Sequence, residues 1–451
     1  MADGQVTREG LRVAIGFPSA VMLVMGGMVG VGVFVNPAVV ARSLHTPQLV
    51  LAAWIAGGAI ALLGAFVYAE LAARMPSTGG EYVYLRDTYG PLMGFLFGWT
   101  TLLVVQAGGM AAVAIVFAKN LAVLGVGLPQ GVVVVAVLGV LATVNCLGVK
   151  TGNGVQGWLG LLKVAAIVAL VVCGLFIARP ATEPAVTAGA KPPLDLVKSF
   201  GAGMIPVVFS YGGWQTSNYV AGEVKDAHRN LARALVVGVI GVIVLYLSVT
   251  WACLQALGVH GLAATLTPAS DVLQKVAGPL GAKLAAGAIA LSAVAFLSQG
   301  TLTGPRVSFA MAKDGLFFRG VARIAAGTRA PVIAIVLQAI WTSVLALSGS
   351  YEQILSYVIA MNFLFFGLSA SCLFVLQRRE AKAGTPIPPG RFRTPLHPWT
   401  TGLFVLGCAA IVVSSFWSYP INSLIGYAIM ALGIPPYLFW RRRGKLETVK
   451  P

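Results

Sequence analysis

The sequence predicts an all-helical integral membrane protein with twelve transmembrane helices, called spans 1 to 12. Of its 451 residues, 58% are hydrophobic and only 10% are charged, whereas a soluble domain has about 25% charged residues. The mean hydropathy is +0.86. Apolar runs long enough to cross a bilayer recur along the chain, and we place them near residues 13–41, 48–74, 91–121, 128–149, 155–178, 199–220, 231–258, 279–311, 330–349, 351–377, 398–418 and 421–440.

The basic residues predict how these spans are oriented. The chain has 31 Lys and Arg against 14 Asp and Glu, a net charge of +17. Most of the Lys and Arg fall in segments that face the cytoplasm if the N-terminus does, as the positive-inside rule requires. We therefore expect a multi-pass protein of the plasma (inner) membrane with both termini in the cytoplasm. The positive charge is interpreted as a membrane signal and not as a nucleic-acid-binding surface.

Two spans contain glycine-rich interruptions. Span 1 holds GGMVGVGVFVNP at 26–37, and span 6 holds FSYGGWQTSNYVAGE at 209–223. Glycine costs about 1 kcal/mol against alanine in a helix, and irregular backbone at membrane depth is tolerated only where it is buried in protein or lines a cavity. For span 1 alone, close helix packing through the GxxxG of Gly26 and Gly30 is an alternative explanation.

The interruptions occupy the first span of each of two successive five-helix sets. This pattern is typical of a transporter built from two inverted repeats, with the substrate site between the discontinuous helices 1 and 6. We assign residues 1–178 to an N-terminal tail and the first repeat, and residues 199–377 to the second repeat. Residues 398–451 form helices 11 and 12 with a cytoplasmic C-terminal tail.

Five stretches resemble one family of transporters. GGMVGVGVFVNP resembles the first-helix motif of the amino acid–polyamine–organocation superfamily, and FSYGGWQTSNYVAGEVKDAHRNLARAL resembles the sixth helix of its L-type amino acid transporter branch. AELAARMPSTGGEYVYLRDTYG, VNCLGVKTGNGVQGWLGLLKVAAIVAL and SSFWSYPINSLIGYAIMALGIPPYLFW are similar to that family as well. Because the five stretches occur in the expected order over nearly the whole chain, the sequence is identified as a bacterial-type member of that branch.

The resemblance implies a site for an amino acid. Backbone N–H groups freed in span 1 would bind the carboxylate. The resemblance assigns the ammonium to the freed carbonyls of Met28 in span 1 and of Phe209, Ser210 and Gly212 in span 6. The predicted substrate-binding residues are Met28, Gly30, Val31, Gly32, Phe209, Ser210, Gly212, Gln215 and Asn218. Val31 stands where the family usually has serine, so a hydroxyl is lost there.

The wall that contacts the substrate side chain is expected to come from spans 3, 8 and 10. Gln106, Gly108 and Asn362 are candidates for it. Gln215 and Asn218 are polar at membrane depth, and we expect them to face the cavity. Which side chains the site accepts is left open.

Lys163 lies inside span 5, where a charge is costly and functional by default. Snorkelling to the inner surface is the alternative explanation. The resemblance implies that its ammonium stands where sodium-coupled relatives hold a sodium ion, tying span 1 to Ser298 or Thr301 of span 8. Transport would then be sodium-independent. A desolvated lysine can also lose its proton, which leaves proton coupling open.

Two gates follow from the resemblance. Phe209 resembles the aromatic gate that covers bound substrate from the outside, although a packing role would also explain a phenylalanine there. Charged residues near the predicted inner face include Glu70, Arg74, Glu223 and Arg306. We predict that these four form a cytoplasmic gate of ion pairs, with ordinary interfacial charges as the alternative.

The predicted function is sodium-independent amino acid transport by exchange, through alternating access. The alternatives are a proton-coupled symporter, a carrier of amino-acid-derived amines, and a sensor that binds without transporting. No acidic residue stands beside the breaks at Gly30–Gly32 and Gly212–Gly213, which favours zwitterions over polyamines. Because no HExxH motif, intramembrane Ser/His pair or metal-ligand spacing occurs, we expect neither enzyme activity, nor a cofactor, nor a metal.

The loop between spans 3 and 4 bears on partners. In animal members of the L-type branch, a cysteine of this loop is disulfide-linked to a heavy chain. Here the loop, KNLAVLGVGLPQG at 119–131, contains no cysteine. We therefore expect no disulfide-linked heavy chain, and only the amino acid substrate and membrane lipid as partners.

Overall fold

A computed structural model describes residues 10–181, 193–349, 351–384, 390–418 and 420–447. Within these ranges the regular structure is helical, and one isolated β-bridge joins Ile15 to Val224. The predicted all-helical class is confirmed. The ends of the two predicted tails, residues 1–9 and 448–451, lie outside the described residues.

The described residues form helices that follow one another along the chain in a simple order. They are α1 (Phe17–Met28), α2 (Asn36–Leu44), α3 (Pro47–Arg74), α4 (Glu81–Tyr89), α5 (Pro91–Thr100), α6 (Gln106–Val123), α7 (Gln130–Cys146), α8 (Val149–Val172), α9 (Pro193–Ser210), α10 (Ala227–Ala264), α11 (Pro268–Ala277), α12 (Pro279–Thr303), α13 (Pro305–Lys313), α14 (Val332–Ser348), α15 (Tyr351–Ala383), α16 (Trp399–Ser418), α17 (Pro420–Ala431) and α18 (Ile434–Glu447).

Many of the helices are long and apolar enough to cross a bilayer. Among the described residues, eight such stretches are Pro47–Arg74, Pro91–Val123, Val149–Ile177, Ala227–Ala264, Pro279–Lys313, Met361–Ala383, Trp399–Trp417 and Pro420–Arg442. Three shorter apolar helices, α1, α7 and α14, lie where spans 1, 4 and 9 are predicted. The protein is therefore a multi-pass membrane protein.

The helices of spans 1 and 6 are each broken in two. α1 ends at Met28, and α2 begins at Asn36 after a short 3-10 turn. α9 ends at Ser210, and a 3-10 segment, Trp214–Glu223, continues the chain. Gly213 separates these two parts with a φ of +106°, a conformation that a side chain disfavours. Both interruptions predicted from the glycines are confirmed.

The broken span 1 is surrounded by other helices. α1 packs against α8, α10 and α12, and α10 also packs along α3. Trp54 of α3 stands edge-on to Tyr246 of α10, with ring centroids 5.5 Å apart, and to Tyr211 at 5.7 Å. Aromatic pairs of this kind contribute about 0.5–1.5 kcal/mol each beyond their burial. These contacts give the broken segments a fixed frame.

Two short helices lie in the connections. The apolar spacing of 259–278 predicts a helix between spans 7 and 8, and α11 confirms it. α4 follows the TGG sequence between spans 2 and 3 and packs against α15. Its first residue, Glu81, is fully buried.

Candidate functional site

The broken segments of spans 1 and 6 touch through their backbones. A Cβ atom on Gly213 would lie 2.0 Å from the carbonyl oxygen of Gly27, and a Cβ on Gly27 would lie 2.5 Å from the carbonyl oxygen of Gly213. Neither distance leaves room for a side chain. Glycine is therefore required at both positions, and its absence of a Cβ fixes where the two helices cross.

A cavity of about 100 Å³ opens between the two breaks. Of the predicted substrate-binding residues, all but Asn218 line it: Met28, Gly30, Val31, Gly32, Phe209, Ser210, Gly212 and Gln215. Further wall comes from other helices, with Val105, Gln106 and Gly109 of span 3, Phe296 and Gln299 of α12, and Asn362 and Phe363 of α15. None of the described lining residues carries an ionisable side chain.

Asn218 and Gly108 do not lie where the sequence predicts. Asn218 is buried but is not among the residues that line the cavity, and its carbonyl oxygen would lie 3.0 Å from a Cβ on Gly80. It belongs to the 3-10 segment Trp214–Glu223 that follows the break. Gly108 also lies outside the described lining, and its neighbour Gly109 takes that place. The candidates Gln106 and Asn362 do line the cavity.

The break in span 1 presents unpaired donors. The N–H of Gly30 turns to the carbonyl of Met28, 2.8 Å away. The N–H groups of Val31 and Gly32 have no hydrogen-bond acceptor among the described residues. Val31 itself is 5% exposed. Two adjacent unpaired N–H groups in an apolar setting can bind a carboxylate without a basic side chain.

The carbonyls predicted for the ammonium are partly occupied. The Tyr246 hydroxyl lies 2.8 Å from the Met28 oxygen and 3.1 Å from the Ser210 oxygen. The Phe209 oxygen accepts from the N–H of Gly212 at 3.1 Å. Among the described residues, the Gly212 oxygen accepts no hydrogen bond. A carbonyl has two lone pairs, so the occupied oxygens can still contribute, but Gly212 offers the free one.

Lys163 is buried and bonds to span 1. Its ammonium donates to the carbonyls of Gly26 at 3.0 Å and Val29 at 2.5 Å. The Gly26 carbonyl is available because its helical partner, the N–H of Gly30, bonds to Met28 instead. Lys163 therefore lies 1% exposed in the interior, and the snorkelling alternative is wrong.

The predicted tie from Lys163 to span 8 takes a different form. Thr301 donates its hydroxyl to Leu297 within its own helix, and the Ser298 hydroxyl has no partner among the described residues. Instead, Ser292 of α12 donates to the carbonyl of Gly30 at 3.0 Å. Span 8 is thus joined to the broken segment directly, at a residue that lies closer to the unwound carbonyls.

Side-chain hydrogen bonds also join span 6 to span 1 and to span 8. Asn36 of span 1 donates to the Ser210 hydroxyl at 2.7 Å and to the Pro206 carbonyl at 3.1 Å. Gln299 of α12 donates to the Thr216 hydroxyl at 2.6 Å. Phe209, the predicted outer gate, is half-buried at the cavity edge.

The four predicted gate charges form two separate groups. Arg306 and Glu223 make a two-point ion pair with distances of 2.8 and 3.1 Å, and both side chains are at most 1% exposed. Glu70 pairs with Arg74 at 2.5 Å, and Arg74 also reaches Glu380 of α15 at 2.7 Å. All four residues thus form ion pairs, with Glu380 of α15 joining the Glu70–Arg74 pair, and their role as a cytoplasmic gate stays a prediction.

The sequence does not single out Gly27, Tyr246 or Ser292, although each contacts the broken segments. Tyr246 and Ser292 look like ordinary members of apolar spans. Gly26 and Gly27 are adjacent glycines in span 1, as Gly212 and Gly213 are in span 6. This correspondence is the signal that could have identified Gly27. Their roles depend on which helices lie opposite.

These features define a class of protein. Apolar membrane-crossing helices that enclose a cavity between two broken helices, with bare backbone groups facing it, are the architecture of a membrane transporter. Comparison with known proteins is more specific. Residues 15–439 match the amino acid permease family, and the chain belongs to that family. The sequence-based resemblance is thereby confirmed.

Several curated proteins are similar to the chain over almost its full length. The serine/threonine exchanger SteT of Bacillus subtilis is 29% identical over 96% of this chain and 98% of its own length. The large neutral amino acids transporter small subunit 2 of Homo sapiens is 29% identical over 96% of this chain and 82% of its own. The b(0,+)-type amino acid transporter 1 of Rattus norvegicus is 25% identical over 91% and 85%.

Proposed function

We propose that the protein is a sodium-independent exchanger of neutral amino acids that works by alternating access. One observation carries the proposal. The unpaired N–H groups of Val31 and Gly32 and the free carbonyl of Gly212 line one small cavity. Together they match the carboxylate and the ammonium of an α-amino acid.

The cavity wall supports a neutral substrate. No acidic or basic side chain is among the described lining residues, so a charged substrate side chain would be desolvated without a partner, which costs several kcal/mol. A polyamine would meet the same obstacle, because no carboxylate faces it. The names of the relatives, an exchanger of serine and threonine and transporters of large neutral amino acids, agree with this substrate class.

Lys163 supports sodium independence. The carbonyls of Gly26 and Val29, on which its ammonium bonds, are the kind of oxygen ligand that a sodium ion would take in the relatives implied by the resemblance. A lysine that stands there supplies the positive charge itself. The runner-up is a proton-coupled amino acid symporter, with Lys163 as a group that could release its proton; a carrier of amines derived from amino acids is a further alternative.

The proposed architecture is twelve spans in two inverted five-helix repeats, with both termini in the cytoplasm of a plasma (inner) membrane protein. The Glu223–Arg306 pair would close the cytoplasmic side in this state and separate when the cavity opens inward. We propose that the protein acts without a disulfide-linked heavy chain, since its span 3–4 loop has no cysteine and its five cysteines are free thiols.

The test is uptake of radiolabelled neutral amino acids into proteoliposomes in sodium-free buffer. Vesicles are either preloaded with unlabelled amino acids or empty, and protein-free vesicles give the background. Uptake that requires internal amino acid supports exchange. Uptake into empty vesicles that follows an inward proton gradient would place the symporter first, and binding without any uptake would favour a sensor.

A further inference from the structure

The first residue of α4 is a carboxylate buried without a cation. Glu81 is 1% exposed, and within the described residues no Lys or Arg forms an ion pair with it. Two tyrosines hold it instead. Tyr68 of α3 donates to Oε1 at 2.6 Å, and Tyr219 of the span 6 segment donates to Oε2 at 3.1 Å.

The segment that ends at Glu81 is docked on the inner half of span 6. The N–H of Gly79 donates to the Tyr219 carbonyl at 2.9 Å. A Cβ on Gly222 would lie 2.4 Å from the Thr78 hydroxyl, so these two backbone segments lie very close together. Residues 78–81 therefore cover the 3-10 segment between the cavity and Glu223.

Among the described groups that act on the Glu81 carboxyl, none carries a positive charge. The titratable groups that face it are Tyr68 of α3, Tyr219 of the span 6 segment, Tyr84 of its own helix, Cys372 of α15 and Cys408 of α16. All five are neutral near pH 7 in their ordinary forms. An ionised carboxylate in this setting has only the two tyrosine hydrogen bonds to replace its hydration.

Burial consequently favours the protonated acid. It raises the pKa of Glu81 to about 7, and the hydrogen bonds from Tyr68, Tyr219 and Ser369 offset this effect only in part. A hydroxyl can accept as well as donate, so the O–H of the protonated acid can donate to one of these same groups.

We propose that Glu81 is a proton-binding latch of the cytoplasmic gate, protonated while residues 78–81 cover span 6 and ionised when they separate from it. The proposal rests on alternating access, as argued above for the transporter. In the proposed cycle the proton of Glu81 exchanges only with the cytoplasm, so it regulates opening and is not carried across the membrane as it would be in proton symport.

The sign and size of the effect follow from linkage. In the open state, water would return the carboxyl to its ordinary pKa of about 4.3. The closed state then binds more protons, so acid favours the closed gate and alkali favours the open one. Between pH 6 and pH 8, the ratio of closed to open molecules is expected to fall about tenfold.

Hydrogen exchange measured by mass spectrometry on the full-length protein tests the latch without requiring transport. Exchange of peptides covering 78–90 and 214–224 is compared at pH 6, 7 and 8 in the wild type, in Glu81→Gln and in Asp226→Asn. The last variant removes an exposed carboxylate from a left-handed position that asparagine tolerates. Ratios between proteins at the same pH cancel the intrinsic rate.

In Glu81→Gln, we expect each peptide to have the same protection at pH 6, 7 and 8. That protection should equal the protection of the wild type in its acid form. The wild type and Asp226→Asn should lose about tenfold in protection toward pH 8. Equal pH responses in Glu81→Gln and the wild type would overturn the latch. If Glu81→Gln does not fold, Tyr219→Phe is the second test. It removes a hydrogen bond to the ionised carboxylate, so the pH midpoint at which the peptides lose protection must rise. An unchanged midpoint overturns the proposal.

The transport assay separates the two proposals. A pH-dependent latch in a protein that moves no amino acid would contradict the exchanger and leave the proton site standing. Amino acid exchange in a protein whose two peptides show no pH response would contradict the latch and leave the exchanger standing.

Discussion

Replacing Gly213 with alanine should disrupt the crossing of spans 1 and 6. The new Cβ would lie 2.0 Å from the Gly27 carbonyl oxygen and 2.6 Å from its carbon. Both are backbone atoms that cannot rotate away. Overpacking costs typically about 1–3 kcal/mol, occasionally more, and a side chain at φ of +106° adds about 1–2 kcal/mol of strain. We expect a destabilisation of about 3 kcal/mol or more.

The matched control is Gly201→Ala. Gly201 lies in α9 of the same span, and a Cβ there would meet nothing within 4 Å. Alanine should be neutral or stabilise that helix by up to about 1 kcal/mol. Thermal unfolding in detergent and uptake in proteoliposomes measure both variants.

The result that refutes this reasoning is specific. If Gly213→Ala unfolds at the wild-type temperature and transports normally, the two backbones do not approach as closely as described. Gly27→Ala should reproduce the defect, since its Cβ would lie 2.5 Å from the Gly213 oxygen. The double variant should cost less than the sum of the two, because both substitutions break one contact.

Three further substitutions test the site. Lys163→Met removes an ammonium that binds two carbonyls, each bond worth about 1.5–3 kcal/mol; we expect uptake to fall at least tenfold, and normal uptake would show that the tie is dispensable. Glu223→Gln should cost about 3–5 kcal/mol in the inward-closed state, because the buried Arg306 loses its countercharge; increased labelling of the cytoplasmic pathway is the readout, with unchanged labelling as the contrary result. Tyr246→Phe removes the hydroxyl that serves the Met28 and Ser210 carbonyls; we expect the substrate affinity to change by about tenfold or less, measured by competition, while an identical affinity would exclude these carbonyls from the ammonium site.

The sequence predicts the breaks well because glycine pairs weaken a helix wherever they stand. Both helix ends, at Met28 and Ser210, follow from local chemistry. The partners of Lys163 do not, since they depend on the N–H of Gly30 turning to Met28 and thereby freeing the Gly26 carbonyl. The backbone path in the break decides this, and hydropathy carries no information about it.

The inner charges illustrate a second limit. A sequence places Glu70 and Glu223 near one face of the membrane but does not say which helix lies opposite. In the structure, Glu70 pairs with Arg74, which also pairs with Glu380 of α15. Glu223 pairs with Arg306 instead. Asn218 is a similar case, because a polar residue type in the 3-10 segment does not by itself say whether the residue lines the cavity.

Tyr246 has one hydroxyl hydrogen and two carbonyl oxygens within reach, one on each broken span. A single hydrogen can point fully at only one of them. An ammonium that binds the Ser210 oxygen would leave the hydrogen to Met28, and an empty cavity would let the two oxygens share it. If the ammonium binds there, occupancy of the cavity sets the direction of one O–H bond in the middle of the 38-residue helix α10.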